Sequence, residues 1–472
     1  MAVFDHIEQF GEAPAVITGS DQSYSYIELA SDADKIGGPA GATKLTAFIA
    51  TNCYASIAGY VGMLRKGSIP LMLPSTVTAT DLAEIDTAFS PDFIYAPIEM
   101  ADKLGLGTPT LLVDNYGLYK TGASNNAPPH PSLALLLTTS GSTGGKSMVR
   151  LSANNISSNA EQIIEYLGIM QHDRAITTMP MSYSYGLSII NTHLMRGAAI
   201  IATESSLVSP DFWSLVRDCN ATTFGGVPFI FEMLKKLRFH QMELPDLRYL
   251  TQAGGKLSNQ LVTYFSKACT EKGCGFYVMY GQTEATARIA YLPAEQVNSR
   301  PDSIGIAIPN TEIWLENENG KKITSSNIEG ELVFKGPNVS LGYAENRADL
   351  NTDDENKGII KTGDIAIQDD DGYYYIVGRK KRFLKLYGNR INLAEVENIL
   401  AKEGITAACA GTDDKMSIFV EGAHDTTDIK KTLQANTSIP PKGYTVVSIQ
   451  ELPRNESGKI SYHLLNTEFA AG

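Results

Sequence analysis

Between residues 46 and 280 short apolar runs alternate with stretches of helical length. This is the pattern of strands that return through helices, which builds sheets with helices packed on their faces. The apolar runs predict strands over residues 46–49, 69–73, 93–95, 110–113 and 133–137. Between the first two lies NCYASIAGYVGMLRKG, a helix that should stop at its basic turn and Gly67. Ser152 opens a predicted helix to residue 167, with Ile156, Ala160, Ile163, Ile164 and Leu167 at helical spacing. The unit then repeats: strand 175–179, helix 188–195, strand 198–202, helix 210–219, strand 222–224, helix 259–272 and strand 275–280. After about residue 300 the texture turns β-rich, with strands over 312–315, 330–334, 358–361 and 373–377. DDDGYYYIVG predicts a hairpin turning at Asp371-Gly372. From Lys381 onward a compact α+β unit is expected: helix 393–402, strand 417–421, helix 427–436 and strand 444–449. The division expected is therefore a large α/β part over 1–379, with layered α/β subdomains and a β-rich portion, and a small part over 380–472.

Such a length, 472 residues, asks for two or more domains. A net charge of −13 argues against general nucleic-acid or anionic-membrane binding, which needs a basic face. Positive charge is concentrated in one place, the cluster Arg379, Lys380, Lys381, Arg382, Lys385 and Arg390. The five cysteines are scattered, contain no CxxC pair and complete no zinc pattern with the histidines, so reduced thiols in a cytoplasmic protein are expected. The opening MAVFDHIEQFGEAPAV has no basic region followed by an apolar run, so no secretory leader is expected. The apolar stretch 187–202 carries Asn191, His193 and Arg196, too polar for an unaided membrane span.

Directly after the apolar run LALLL comes LLTTSGSTGGKSMVR, spanning 136–150. Glycines let backbone N–H groups converge on a polyphosphate, and the hydroxyls add donors. A flexible surface turn has the same composition, and the spacing of Gly141 and Gly144 is not that of a Walker loop. The strand 275–280 ends in Tyr280-Gly281-Gln282-Thr283-Glu284, and ligands of open α/β sheets sit beyond the carboxyl ends of strands.

Taken in order, LLTTSGSTGGKS, YGQTE, KTGD at 361–364, GRKKRFLKLYGNRI at 378–391 and LPRNESGKI at 452–460 make the chain resemble the AMP-forming acid–thiol ligases. That superfamily includes acyl-CoA synthetases, adenylation domains and beetle luciferases. The resemblance implies activation of a carboxylic acid by ATP to an acyl-adenylate with release of pyrophosphate, then transfer to a thiol. It implies a small mobile C-terminal lid domain turning on a hinge at Lys381. Thr139, Ser140, Gly141, Ser142, Thr143 and Gly144 would hold the pyrophosphate end. Thr283 would donate to the α-phosphate, and Glu284 would hold Mg²⁺, a hard cation that takes carboxylate oxygen. Asp364 would accept from the ribose hydroxyls, with Arg379 supporting it. Gly254-Gly255-Lys256 resembles the segment that packs on the adenine, and Tyr280 and Gly281 would border the same nucleotide. Lys459 matches the family's mobile lysine, which joins carboxylate to α-phosphate.

PMSYSYG at 180–186 resembles the motif bordering the acid pocket, which maps to Tyr183, Ser184 and Gly186. Ser184 stands where amino-acid-activating domains place an aspartate. A plain acyl or aryl acid is expected, because an unpaired ammonium is costly to bury. The glycine-rich loop departs from the family's Pro-Lys-Gly: Lys146 falls at the proline and Ser147 at the lysine. Either Lys146 reaches the phosphates through a shifted register, or that cation is missing. The acceptor would be coenzyme A or the phosphopantetheine arm of a separate carrier protein. A non-catalytic nucleotide-binding relative and a luciferase-like oxygenase share the same motifs.

Overall fold

In a computed structural model the described residues are 3–123, 128–138, 147–380, 382–386, 389–412, 415–437, 439–454, 460–462 and 464–465. The α/β fold expected from the sequence is present. Five parallel strands form the middle of a nine-stranded sheet: Ala199–Ile201, Arg174–Ile176, Thr223–Gly226, Tyr249–Gln252 and Gly275–Tyr280, in that spatial order. The chain leaves Arg174–Ile176 for the neighbour on one side, then crosses back to pair Thr223–Gly226 on the other. The order reverses at that strand, and the crevice at such a switch point is where open α/β sheets bind ligands. PMSYSYG lies just beyond its carboxyl end.

An eight-stranded sheet runs Gly342–Ala344, Met148–Ser152, Leu133–Thr138, Ile69–Leu73, Leu45–Ile49, Phe93–Pro97, Tyr116–Lys120 and Leu111–Val113. Three helices, Tyr26–Ala40, Tyr54–Lys66 and Ser184–Arg196, share one core with both large sheets. Val16, Ala175 and Ile200 from the first sheet meet Phe48, Met72 and Leu135 from the second through Tyr60, Leu64, Leu187 and Leu194. The other face of the nine-stranded sheet is covered by Pro210–Asp218, Pro228–Lys236 and Asn259–Lys272, whose Phe212, Phe231 and Phe265 pack on Ile176, Phe224 and Phe276. Covered on both faces, the parallel strands read as continuous apolar runs.

Lys322–Ile323, Glu312–Glu316, Gly330–Lys335, Ile359–Gln368 and Tyr374–Arg379 form the β-rich portion, an antiparallel sheet of five strands. Further on, Leu393–Lys402 and Thr426–Asn436 pack with the sheet Ala407–Thr412, Lys415–Glu421 and Tyr444–Ile449. They enclose a separate core of Val396, Leu400, Met416, Ile418, Val420, Ile429 and Leu433. The proposed hinge, Lys381, lies outside the described residues. Its neighbour Arg382 is tied into this later core: its guanidinium meets both Glu397 oxygens, at 3.1 and 2.7 Å, and lies over the Tyr462 ring. Among the described residues no helix is long and apolar enough to cross a membrane.

Two elements differ from the sequence expectation in ways that matter to the site. The helix expected from 188 begins at Ser184, so Ser184, Tyr185 and Gly186 form its first turn. It starts early because Gly186 has no side chain, and a Cβ there would lie 2.2 Å from the Pro180 carbonyl oxygen. The strand expected over 358–361 runs on to Gln368, so Asp364 is a strand residue directly opposite Arg379.

Candidate active site

The elements that end at the carboxyl edge of the nine-stranded sheet bring several predicted residues together. Thr283 and Glu284 follow Gly275–Tyr280 in a short 3-10 turn, Thr283–Ala285. Thr283 is buried, and its hydroxyl oxygen is 3.4 Å from that of Ser184, also buried. At that separation the two hydroxyls are neighbours rather than a strong pair, which leaves both able to donate elsewhere. Glu284 is partly exposed, and its Oε1 accepts a 2.7 Å hydrogen bond from the Tyr343 phenol. Burial, then the adjacent Glu284 charge, pushes that phenol well above the usual tyrosine range, so it remains a donor.

The turn carrying this pair is strained. Thr286, a β-branched residue, has φ 64° and ψ −58°, and the Ala287 amide donates to the Ala285 carbonyl at 2.7 Å. Those are the features of the rare classic γ-turn. Asn338 clamps it from the 336–340 segment. Its Nδ2 donates to the Ala285 and Arg288 carbonyls, both at 2.9 Å, and its own carbonyl receives the Thr286 hydroxyl at 2.8 Å. Strain of this kind persists only where the surroundings over-determine it, and such places cluster at functional sites.

A third group lies beside the turn. Asp364 is 3% exposed. Tyr280 donates its phenol proton to Oδ2, and Arg379 donates Nε–H to Oδ1 at 2.7 Å. The register Asp364↔Arg379 aligns the two charged side chains across neighbouring strands. The Asp364 charge raises the Arg379 guanidinium further, and burial followed by the same charge holds Tyr280 protonated. A carboxylate offers about four acceptor positions, so Asp364 keeps capacity for two more donors, as a ribose diol would supply.

Other predicted residues fall differently. Tyr183 is the N-cap residue of the Ser184–Arg196 helix, with its ring edge-on to Tyr185 at 6.4 Å. Gly254, at φ 82°, and Gly255, where a Cβ would sit 3.1 Å from Pro228, form a tight turn braced by Gln252. Lys256 points away to Asp302, a half-exposed pair at 3.6 Å. Gly281 packs against the Ala287 carbonyl, which a Cβ would approach to 1.9 Å. Thr139 to Gly144, Lys146 and Lys459 lie outside the described residues. The strands flanking the glycine-rich stretch pair antiparallel, out to Thr138↔Met148. The basic cluster is less available than its composition suggests. Arg379 serves Asp364, Lys380 pairs with Glu331 at 2.9 Å and Arg382 serves Glu397.

Sequence reasoning missed Tyr343, Asn338 and Arg288. Tyr343 sits in LGYAE and Asn338 in GPNVS, with no local signal that either reaches the 283–288 turn. Arg288 alone was detectable, as a cation four residues after Glu284 in an otherwise small, apolar run.

The residues present fit ATP and Mg²⁺. Tyr343 is the side-chain partner of Glu284 among the described residues, which leaves Oε2 open to a cation. No group of three or more His, Cys, Asp or Glu side chains that could hold a metal occurs among the described residues. One carboxylate together with phosphate oxygens is a common way to hold Mg²⁺.

The chain has relatives at a distance. The 2-succinylbenzoate–CoA ligase of Bacillus cytotoxicus is 27% identical over 339 residues, 69% of this chain and 68% of that one. The oxalate–CoA ligase of Arabidopsis thaliana is 27% identical over 352 residues, 71% of this chain and 67% of that one. Among solved structures, O-succinylbenzoate coenzyme A synthetase from Bacillus subtilis with ATP and magnesium has a TM-score of 0.78 at 20% identity, covering 98% of this chain and 99% of that one. ATP-bound MatB from Rhodopseudomonas palustris has a TM-score of 0.79 at 21% identity, with 99% of each chain covered. The model of the AMP-binding enzyme family matches residues 3–344, most of the length, and the chain belongs to that family.

Proposed function

We propose that this protein is an ATP-dependent acid–CoA ligase that forms an acyl-adenylate and passes the acyl group to the thiol of coenzyme A. One observation carries the reading: Thr283 with Ser184, Glu284 on Tyr343, and the Tyr280–Asp364–Arg379 group converge at the carboxyl edge of the large sheet. In the first step a carboxylate oxygen bonds to the α-phosphorus. The bond from that phosphorus to the bridging oxygen breaks, and pyrophosphate leaves with the electron pair. Thr283 donates to an α-phosphate oxygen, Asp364 orients the ribose, and Arg379 holds Asp364 in place. Glu284 would hold Mg²⁺, which would supply positive charge to the phosphates. Such catalysis is largely positioning and charge stabilisation. In the second step the thiol loses its proton and bonds to the acyl carbon, and AMP leaves with the C–O electrons.

The family resemblance assigns the pyrophosphate end to the 139–146 loop, the carboxylate–phosphate bridge to Lys459 and the domain hinge to Lys381. Two relatives named as CoA ligases support coenzyme A over a carrier protein. The cysteines described are free thiols, which supports a cytoplasmic setting. The test is acid-dependent exchange of labelled pyrophosphate into ATP, followed by consumption of coenzyme A thiol. ATP binding without exchange for any acid overturns the reading. Exchange without coenzyme A consumption moves the acceptor to a carrier protein.

A further inference from the structure

Arg288 is 3% exposed, yet it lacks what the chain gives its other buried arginine, Arg150, and the half-buried Arg382. Arg150, fully buried, donates to the Tyr343, Thr352, Leu341 and Asp353 carbonyls and to Glu355. Arg382 holds Glu397 with two bonds. Among the described residues Arg288 meets the Met279 sulfur and the Ala287 carbonyl, each at 3.3 Å, and the Tyr166 hydroxyl, with its guanidinium 4.3 Å from the centre of the Tyr185 ring. Among the described residues no carboxylate reaches it. Five N–H donors on a buried cation are thus served by one weak sulfur acceptor, one carbonyl, one phenol oxygen and a ring face, all of them neutral, a costly arrangement unless an anion joins them.

The space beside it is a narrow, mostly apolar cavity. Tyr185, Ser188, His193, Thr251, Met279 and Arg288 are among its walls. His193 adds a second unmet polar group. Its Nδ1 lies 2.8 Å from the Ile189 carbonyl and so carries the ring proton, which leaves the buried Nε2 as an acceptor without a partner among the described residues. The cavity adjoins the proposed reaction centre. Tyr185 follows Ser184 in the helix, and Ser184 is 3.4 Å from Thr283.

We propose that Arg288 is a specificity-determining residue of the acid pocket, and that the acid it selects is a dicarboxylic acid. One carboxylate is activated beside Thr283, and the other pairs with the guanidinium of Arg288. This inference rests on the ligase reading, and its test separates the two.

Pyrophosphate exchange is measured with matched acids that differ in the second carboxylate: butanoate against succinate, hexanoate against adipate, benzoate against phthalate. The wild-type protein should favour the dicarboxylic member of at least one pair in kcat/KM by roughly ten- to hundredfold, the range of one charge-assisted contact. Arg288→Met should bring that ratio close to one while keeping exchange with the monocarboxylic partner, and Arg288→Lys should restore part of it. Wild-type preference for the monocarboxylic acid in every pair overturns the inference and leaves the ligase intact. A ratio that Arg288→Met leaves unchanged does the same. If Arg288→Met does not fold, the wild-type ratio and Arg288→Lys decide: an undiminished ratio in the lysine variant counts against a bidentate guanidinium pair. Absence of exchange with every acid removes the ligase reading and the inference together.

Discussion

Glu284 is aimed rather than merely present. The Tyr343 phenol fixes one carboxylate oxygen and leaves the other open, where the proposed Mg²⁺ would bind, so Tyr343→Phe removes the orienting bond without removing the charge. We expect the Mg²⁺ concentration for half-maximal pyrophosphate exchange to rise about three- to tenfold. Stability should hold within about 0.5 kcal/mol, because Tyr343 is 46% exposed. An unchanged metal requirement would detach Tyr343 from the site. His193 yields a different expectation. Burial pushes its imidazole down to about 4 from 6.5, against the upward pull of the Ile189 carbonyl and the Asp173 charge. The unfolded chain takes up this proton below about pH 6.5 and the folded chain only near 4, so folding loses stability as pH falls through that window and none of it above. The loss is at most roughly 3 kcal/mol, at 1.36 kcal/mol per pH unit. His193→Gln should therefore flatten the fall of the urea midpoint between pH 6.5 and 4. An equally steep fall in the variant would assign the acid sensitivity to other groups.

At the scale of elements the site depends on close backbone approaches. Gly186→Ala would place a methyl group against the Pro180 carbonyl, a backbone atom that cannot swing away. Overpacking of this kind costs typically 1–3 kcal/mol. Because it displaces the first turn carrying Ser184 and Tyr185, exchange activity should fall more than the melting temperature implies. Full activity with an unshifted melting point would show that the helix start tolerates movement. Elements with strong local end signals were readable from sequence. The helix Asn259–Lys272 lies between the Ser258 cap and Gly273 at φ 73°, and the strand Gly275–Tyr280 follows at once. The helix Tyr26–Ala40 was hidden because Gly37-Gly38-Pro39 reads as a break. Gly37 is there because a Cβ would lie 2.1 Å from the Gly62 carbonyl of the crossing helix. The strand Met148–Ser152 was missed for a similar reason, since its edge partner, Gly342–Ala344, is nearly 200 residues away. Within the site, Thr283, Glu284 and Asp364 could be picked from their motifs. Tyr343 and Asn338 could not, because they act through folding contacts that leave no local pattern.

Over the whole molecule, the chemistry asks for two arrangements of one site, one closing carboxylate on ATP and one admitting a thiol. The later core around Ile418 and Val420 is built from its own helices and sheet, and Arg382 is anchored in it through Glu397. A unit with its own core can turn as a body at Lys381 without unfolding, the low-cost form of domain motion. Lys459 belongs to the end of that unit in sequence, so it would be present in one arrangement and withdrawn in the other. Lys459→Ala should then lower adenylate formation from acid and ATP by at least about a hundredfold, the scale of a lost charge contact made mainly in the transition state. Thioester formation from supplied acyl-adenylate and coenzyme A should stay within about threefold, because on this proposal that step would take place with the lysine away. The measurements are single-turnover rates of the two half-reactions on the same preparation. An equal fall in both would place Lys459 in a fixed site and end the case for rotation at Lys381. A fall confined to thioester formation would assign the lysine to the thiol instead.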